Sequence, residues 1–183
     1  MEMNILEKLE WRYATKKFNP AINVSETKLE ILKKAIQFAP SSYGLQPFQV
    51  LFVVFTRKKN IDDSEVDSFI ENIINTRGVS KEMLSQYEGM MKGTVNSLSE
   101  DQKASWIDKQ IYISLGFLLN TAAVIDVDTC PMEGFNKEKY DEILGLTDTT
   151  SVVICAIGYR DENDESQHYK KVRKDEKNLF VNI

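Results

Sequence analysis

Two groups of basic residues lie far apart in this chain: Arg12, Lys16 and Lys17 near one end, Lys171 and Arg173 near the other. A fold that joined them would make a phosphate site, because an arginine can grip a phosphate ester in bidentate fashion and a lysine adds a point charge. The plain alternative is a set of solvated surface cations, the commoner outcome for an isolated Lys-x-Arg in a tail. Two loops could also meet a ligand. Pro40-Ser41-Ser42-Tyr43-Gly44-Leu45-Gln46-Pro47 carries two hydroxyls and a glycine, so it is either an ordinary turn or a segment that offers amides and hydroxyls. Cys130-Pro131-Met132-Glu133-Gly134-Phe135 contains a glycine where a flat ligand could approach the main chain, and is otherwise a strand-ending turn. His168 is the single histidine, which leaves one candidate base for a Ser-His-Asp or Cys-His mechanism and excludes a histidine-rich metal site. It sits in a charged tail and reads as a surface residue. Neither GxGxxG nor GxxxxGK(S/T) occurs, so redox chemistry here would need a cofactor held in another way.

The elements that must position these residues follow from periodicity and capping. Ile5, Leu6 and Leu9 predict a short opening helix, and Ser25 caps a second helix carrying Leu29, Leu32, Ile36 and Ala39 that Pro40 stops. The β-branched and aromatic run Phe48 to Thr56 predicts a buried strand fed by the Pro40 to Pro47 loop. Val66, Phe69, Ile70, Ile73 and Ile74 mark a helix ending near Arg77-Gly78. The methionine-rich stretch from Met83 to Met91 is interrupted by Gly89 and followed by Gly93, and at about 1 kcal/mol per glycine this predicts a mobile segment or soft core filler rather than a rigid helix. Ser99-Glu100-Asp101-Gln102 has the form of a capping box, opening a helix to about Val124 whose apolar character from Ile111 to Leu119 predicts burial on every side. A strand from Val127 to Met132, a helix from the Asn136 cap to Gly145 and a strand from Ser151 to Ile157 complete the regular structure.

Composition narrows the class. The 183 residues are 42% hydrophobic and 28% charged, which fits one domain spanning 1–183 with a substantial core. A net charge of -5 with scattered cations argues against nucleic acid as a partner. Cys130 and Cys155 lie in apolar stretches without metal or redox spacing, and read as buried thiols of a reducing cytoplasm. The segment Met1-Glu2-Met3-Asn4 lacks the basic head of a secretion signal, and no stretch is long enough to span a membrane.

Taken together, the segments resemble the nitroreductase family, closest to oxygen-insensitive NAD(P)H nitroreductases and dihydropteridine reductases. Arg12-Tyr13-Ala14-Thr15-Lys16-Lys17-Phe18 resembles its Arg-x-(Ser/Ala)-x-Lys-x-Phe, and Pro40 to Phe48 resembles its Pro-Ser-Ser-x-x-x-Gln-Pro-(Trp/Phe). Pro131 to Phe135 resembles its Pro-(Met/Ile)-Glu-Gly-Phe turn, and Lys171-Val172-Arg173 its late Lys-x-Arg. Lys109-Gln110-x-Tyr112 and Gly158-Tyr159-Arg160 join them in the right order.

The resemblance implies an α+β fold, a central mostly antiparallel sheet flanked by helices. It implies a homodimer with FMN at the interface and NADH or NADPH as electron donor. A small acceptor, such as a nitroaromatic or a quinone, would take electrons by a ping-pong mechanism, the chemistry being carried by the cofactor. Arg12, Lys171 and Arg173 would hold the FMN phosphate, Tyr13 and Ala14 would line the cofactor, and Lys16 would reach its N1/O2 edge. Pro40, Ser41 and Ser42 would come from the second subunit, while Pro131, Met132, Glu133 and Gly134 would pass along the flavin face. A flavin-binding or sensor protein of the same fold with little turnover is the second reading.

One departure from the family is large. The family continues past the Gln-Pro strand through a helix and a second strand; here Phe48-Gln49-Val50 runs directly into Leu51 to Arg57, as if two strands were fused. Roughly thirty residues are missing after residue 50, about one crossover helix and one strand. With them go an asparagine for the pyrimidine edge of the flavin and a nearby lysine.

Overall fold

The computed structural model describes residues 5–51 and 53–181. The Met1 to Asn4 segment and Phe52 lie outside the described residues. Helix α1 (Ile5–Trp11) is followed by α2 (Glu26–Phe38), a 3-10 turn (Ser42–Gly44), β1 (Phe48–Leu51) and β2 (Val54–Lys58). Then come α3 (Asp63–Arg77), α4 (Lys81–Ser97), α5 (Glu100–Val124), β3 (Asp128–Met132), α6 (Lys137–Leu144) and β4 (Thr149–Gly158). A second 3-10 turn (Glu165–His168) and α7 (Glu176–Leu179) end the described part.

The strands form a four-stranded sheet in the order β1-β2-β4-β3, each neighbouring pair antiparallel. Helix α5 packs against β2, β3, α1 and α2, and brings Ile107, Ile111, Leu115 and Leu118 into a core shared with Phe55, Val153 and Cys155. Local chemistry explains most boundaries. Ser25 and Asp62 accept from Lys28 N and Ser64 N to cap α2 and α3, and the Ser99 hydroxyl and Gln102 amide complete the box at the start of α5. Gly78 and Gly145 end α3 and α6 in the left-handed region, at φ 66° and 65°.

Two expectations need correction and one, for the methionine-rich stretch, is narrowed. The run Phe48 to Thr56 is not one strand: it folds back into a hairpin in which Phe48 faces Arg57 and Leu51 faces Val54. Folding back lets this short segment satisfy its own backbone groups and supply two strands. The turn is made without glycine, asparagine or aspartate; Val53 itself adopts φ 68°, and its carbonyl accepts from Cys155 N at 2.8 Å. The methionine-rich stretch is a continuous helix, α4. Gly89 and Gly93 are exposed, while Met91 and Val95 are fully buried and Lys92 bridges Asp67 and Glu88, so packing outweighs the glycine cost. Lastly, α5 is not buried on every side: Tyr112, Ile113 and Phe117 are each about 40% exposed.

Candidate functional site

The segment after α1 is laid along the β3 edge of the sheet. Ala14 makes a parallel bridge to Thr129, Thr15 N donates to Thr129 O at 3.2 Å, and Phe18 bridges Arg160. Two polar hubs fix its path. The Asp164 carboxylate, 2% exposed, accepts from Lys16 N (2.7 Å), Lys17 N (3.1 Å), the Tyr13 hydroxyl (3.0 Å) and Ser166 N (3.0 Å). Burial pushes its pKa up, but these hydrogen bonds outweigh it and hold the carboxyl well below its ordinary value. Arg160 pairs with buried Asp128 through Nε (2.9 Å) and Nη2 (2.5 Å), and its guanidinium lies 4.2 Å from the Trp11 ring centroid and 4.7 Å from that of Tyr13.

These hubs deliver the N-terminal cation to the C-terminal ones. Arg12, Tyr13, Ala14, Lys171 and Arg173 line one cavity of about 330 Å³, with Ser166 and Gln167 on its wall. Lys171 Nζ donates to the carbonyls of Leu9 and Arg12. Arg12 Nε is buried without a hydrogen-bond partner, and none of the three cations forms an ion pair among the described residues. Burial and then repulsion from Arg173 lower the Arg12 pKa; burial and then repulsion from Arg12 and Arg173 lower that of Lys171. Glu10 lines the same cavity and its charge acts on Lys171 in the opposite direction, so three cations and one carboxylate surround the space, a net positive set that can attract an anion.

The remaining expected residues stand elsewhere on the same framework. Lys16 is anchored by its backbone but exposed, outside the cationic cavity. Pro131 and Met132 are opposite Cys155 and Ile154 in the sheet, on the strand that holds Ala14 and Thr15. Beyond them Glu133 accepts from the Tyr112 hydroxyl, and a methyl group added at Gly134 would meet no atom within 4 Å. Pro40, Ser41 and Ser42 do not join the cationic cavity: Ser42 N donates to buried Gln110 Oε1 at 2.7 Å and Ser41 Oγ accepts from Gln46 N at 3.2 Å. Burial first, then the nearby Cys130, pushes the Cys155 thiol up to about 12, so it is a core thiol and not a nucleophile.

Asp128, Asp164 and Gln110 were not recognised in the sequence as organisers of the site. Asp128 left a signal, a charge inside an apolar strand that demands a partner. Asp164 left none, since it sits within the acidic run Asp161 to Glu165 that reads as solvated surface.

The pattern of the Nitroreductase family matches residues 9–159. A relative, the candidate NAD(P)H nitroreductase SH0546 of Staphylococcus haemolyticus, is 28% identical over 91% of this chain and 93% of its own. A nitroreductase-like protein of Streptococcus mutans has a structure similar to this one at a TM-score of 0.85, with 15% identity, over 100% of this chain and 99% of that one. A candidate nitroreductase of Exiguobacterium sibiricum, solved with FMN, superposes at a TM-score of 0.82, with 14% identity and coverage of 99% and 98%. The fold is therefore that of these proteins despite the shortened stretch after residue 50. The family match spans both the cradle of the N-terminal segment and the Glu133 turn, and the chain belongs to the nitroreductase family.

Proposed function

We propose that this protein is an FMN-dependent oxidoreductase that carries reducing equivalents from NADH or NADPH to nitroaromatics, quinones or related small acceptors by a ping-pong mechanism. One observation carries this reading: the convergence of Arg12, Lys171 and Arg173 on one cavity, with the buried Nε of Arg12 left without a hydrogen-bond partner. A phosphate ester would neutralise the cluster and complete that donor. The open space at Gly134, in the turn that follows the strand supporting the N-terminal segment, suits a flat ring system near the same edge.

Arg12, Lys171 and Arg173 hold the phosphate in this reading, and Tyr13 and Ala14 line the ligand. Lys16 sets a positive charge at the ring edge, and Pro131 to Gly134 give it a face. When bound, FMN supplies the centre that accepts and returns hydride. The protein contributes orientation, a cleft and a positive field that favours added negative charge.

A homodimer completes the site. Ile113 and Phe117, four residues apart on α5 and exposed in the single chain, offer an apolar stripe to a second copy, which would bring its Pro40, Ser41 and Ser42 to the ligand. Buried, unbonded Cys130 and Cys155 suit the reducing cytoplasm. Among the described residues, no helix is long and apolar enough to cross a membrane.

The test is spectroscopic. The purified protein should show flavin absorption or gain it on reconstitution, bleach on anaerobic addition of NADH or NADPH, and recover colour when a quinone or nitroaromatic follows. Bound flavin that resists both nicotinamides would favour a flavin sensor, and absence of binding after reconstitution would overturn both readings.

A further inference from the structure

The Tyr112 hydroxyl projects from the exposed side of α5 and donates to Glu133 Oε1, 21 positions further along the chain. Glu133 forms no ion pair among the described residues, and its turn is otherwise held by a backbone bond, Phe135 N to Glu133 O at 2.9 Å, and by the Phe135 ring packed edge-to-face on Tyr140. Sheet pairing stops at Met132, opposite Ile154. Between that last pair and α6, Phe135 ties the far end of the turn to Tyr140, and the Tyr112 phenol is the side-chain hydrogen bond that ties Glu133 to α5. The donor is stable: burial first, then the hydrogen bond to Glu133 and the charges of Glu133 and Asp108, push its pKa up to about 12. It keeps its proton throughout the neutral range.

We propose that Tyr112 is a positioning residue, whose hydroxyl fixes the Glu133 carboxylate and thereby the path of the Met132 to Gly134 turn across the face where the flavin lies. This rests on the FMN reading above. Helix α5, rigid through its capped start and its packing on the sheet, is the ruler against which the turn is set. The same helix holds Ser42 through Gln110, so two loops on different parts of the fold take their position from residues two apart, Gln110 and Tyr112. A tethered turn keeps the space at Gly134 open; a loose one could close it.

Tyr112→Phe keeps the ring and removes only the hydroxyl, and Glu133→Ala removes the acceptor. Both variants and their combination are made in the full chain and compared with the unmodified protein, with and without FMN. Amide hydrogen exchange should rise in Tyr112→Phe within residues 130–136 and not in α3 or α4. The kcat/KM for the acceptor should fall about three- to tenfold, the effect of one modest hydrogen bond, while the FMN Kd stays within about twofold. The double variant should be no worse than Glu133→Ala alone, because the two residues act as a unit. Unchanged exchange in that segment, or losses that add, would overturn the proposal while FMN uptake by the unmodified protein left the wider reading intact. Failure of the unmodified protein to take up FMN would remove both.

Discussion

Arg12 is the residue on which the proposed phosphate site turns. Its guanidinium is half-buried among like charges, an arrangement that costs stability unless an anion completes it. Arg12→Ala should weaken FMN about 10- to 100-fold, the loss of a charge-assisted contact, as measured by fluorescence titration of the apoprotein. Unchanged affinity would place the phosphate elsewhere. Asp164 works one step back, holding Tyr13, Lys16 and Lys17. Because its folded pKa is depressed below the ordinary 3.8, its contribution to stability is full above about pH 4 and is lost as pH falls toward the folded value. Asp164→Asn should therefore lower Tm at neutral pH, and the gap to the unmodified protein should narrow as the solution is taken below about pH 4. A gap that stays constant with pH would contradict the carboxylate's role.

Among the elements, α5 carries the most. Its start at Ser99 and its end near Val124 were legible because caps are local chemistry, needing only a hydroxyl and an amide three residues apart. Ser99→Ala should cost about 1 kcal/mol, seen as a Tm lower by about 2–4 °C for a chain of this length. The exposed side of α5 was not legible, because an apolar stripe left at the surface has the same composition as one packed in the core. The proposed homodimer predicts that Phe117→Glu converts it to monomer by size-exclusion chromatography with light scattering and reduces FMN retention with it; a dimer that persists would move the interface away from this helix. The β1-β2 hairpin was hidden for a different reason. Leu51, Phe52 and Val53 carry none of the residues that favour positive φ, so nothing in the sequence marked the reversal that Val53 makes at φ 68°.

Over the whole molecule, sequence reading reached furthest where a motif carried its own geometry. The joining of Arg12 with Lys171 and Arg173, some 160 positions apart, could be posed from residue chemistry alone, but whether they were ligands or solvated cations depended on the fold. What brings them together is the sheet edge: β3 and the Arg160–Asp128 and Asp164 hubs, which bend the N-terminal segment onto the C-terminal tail. The short stretch after position 50 lies away from that side of the sheet, in β1 and β2 toward the opposite edge. The central proposal is thus that Arg12, Lys171 and Arg173 form a phosphate-selective cradle in this member of the family. Calorimetric titration of the apoprotein with FMN and with riboflavin tests it most directly, because the two differ only in the phosphate. FMN should bind at least about a hundredfold more tightly, as expected for contacts from three cations; equal affinity for the two would contradict the account.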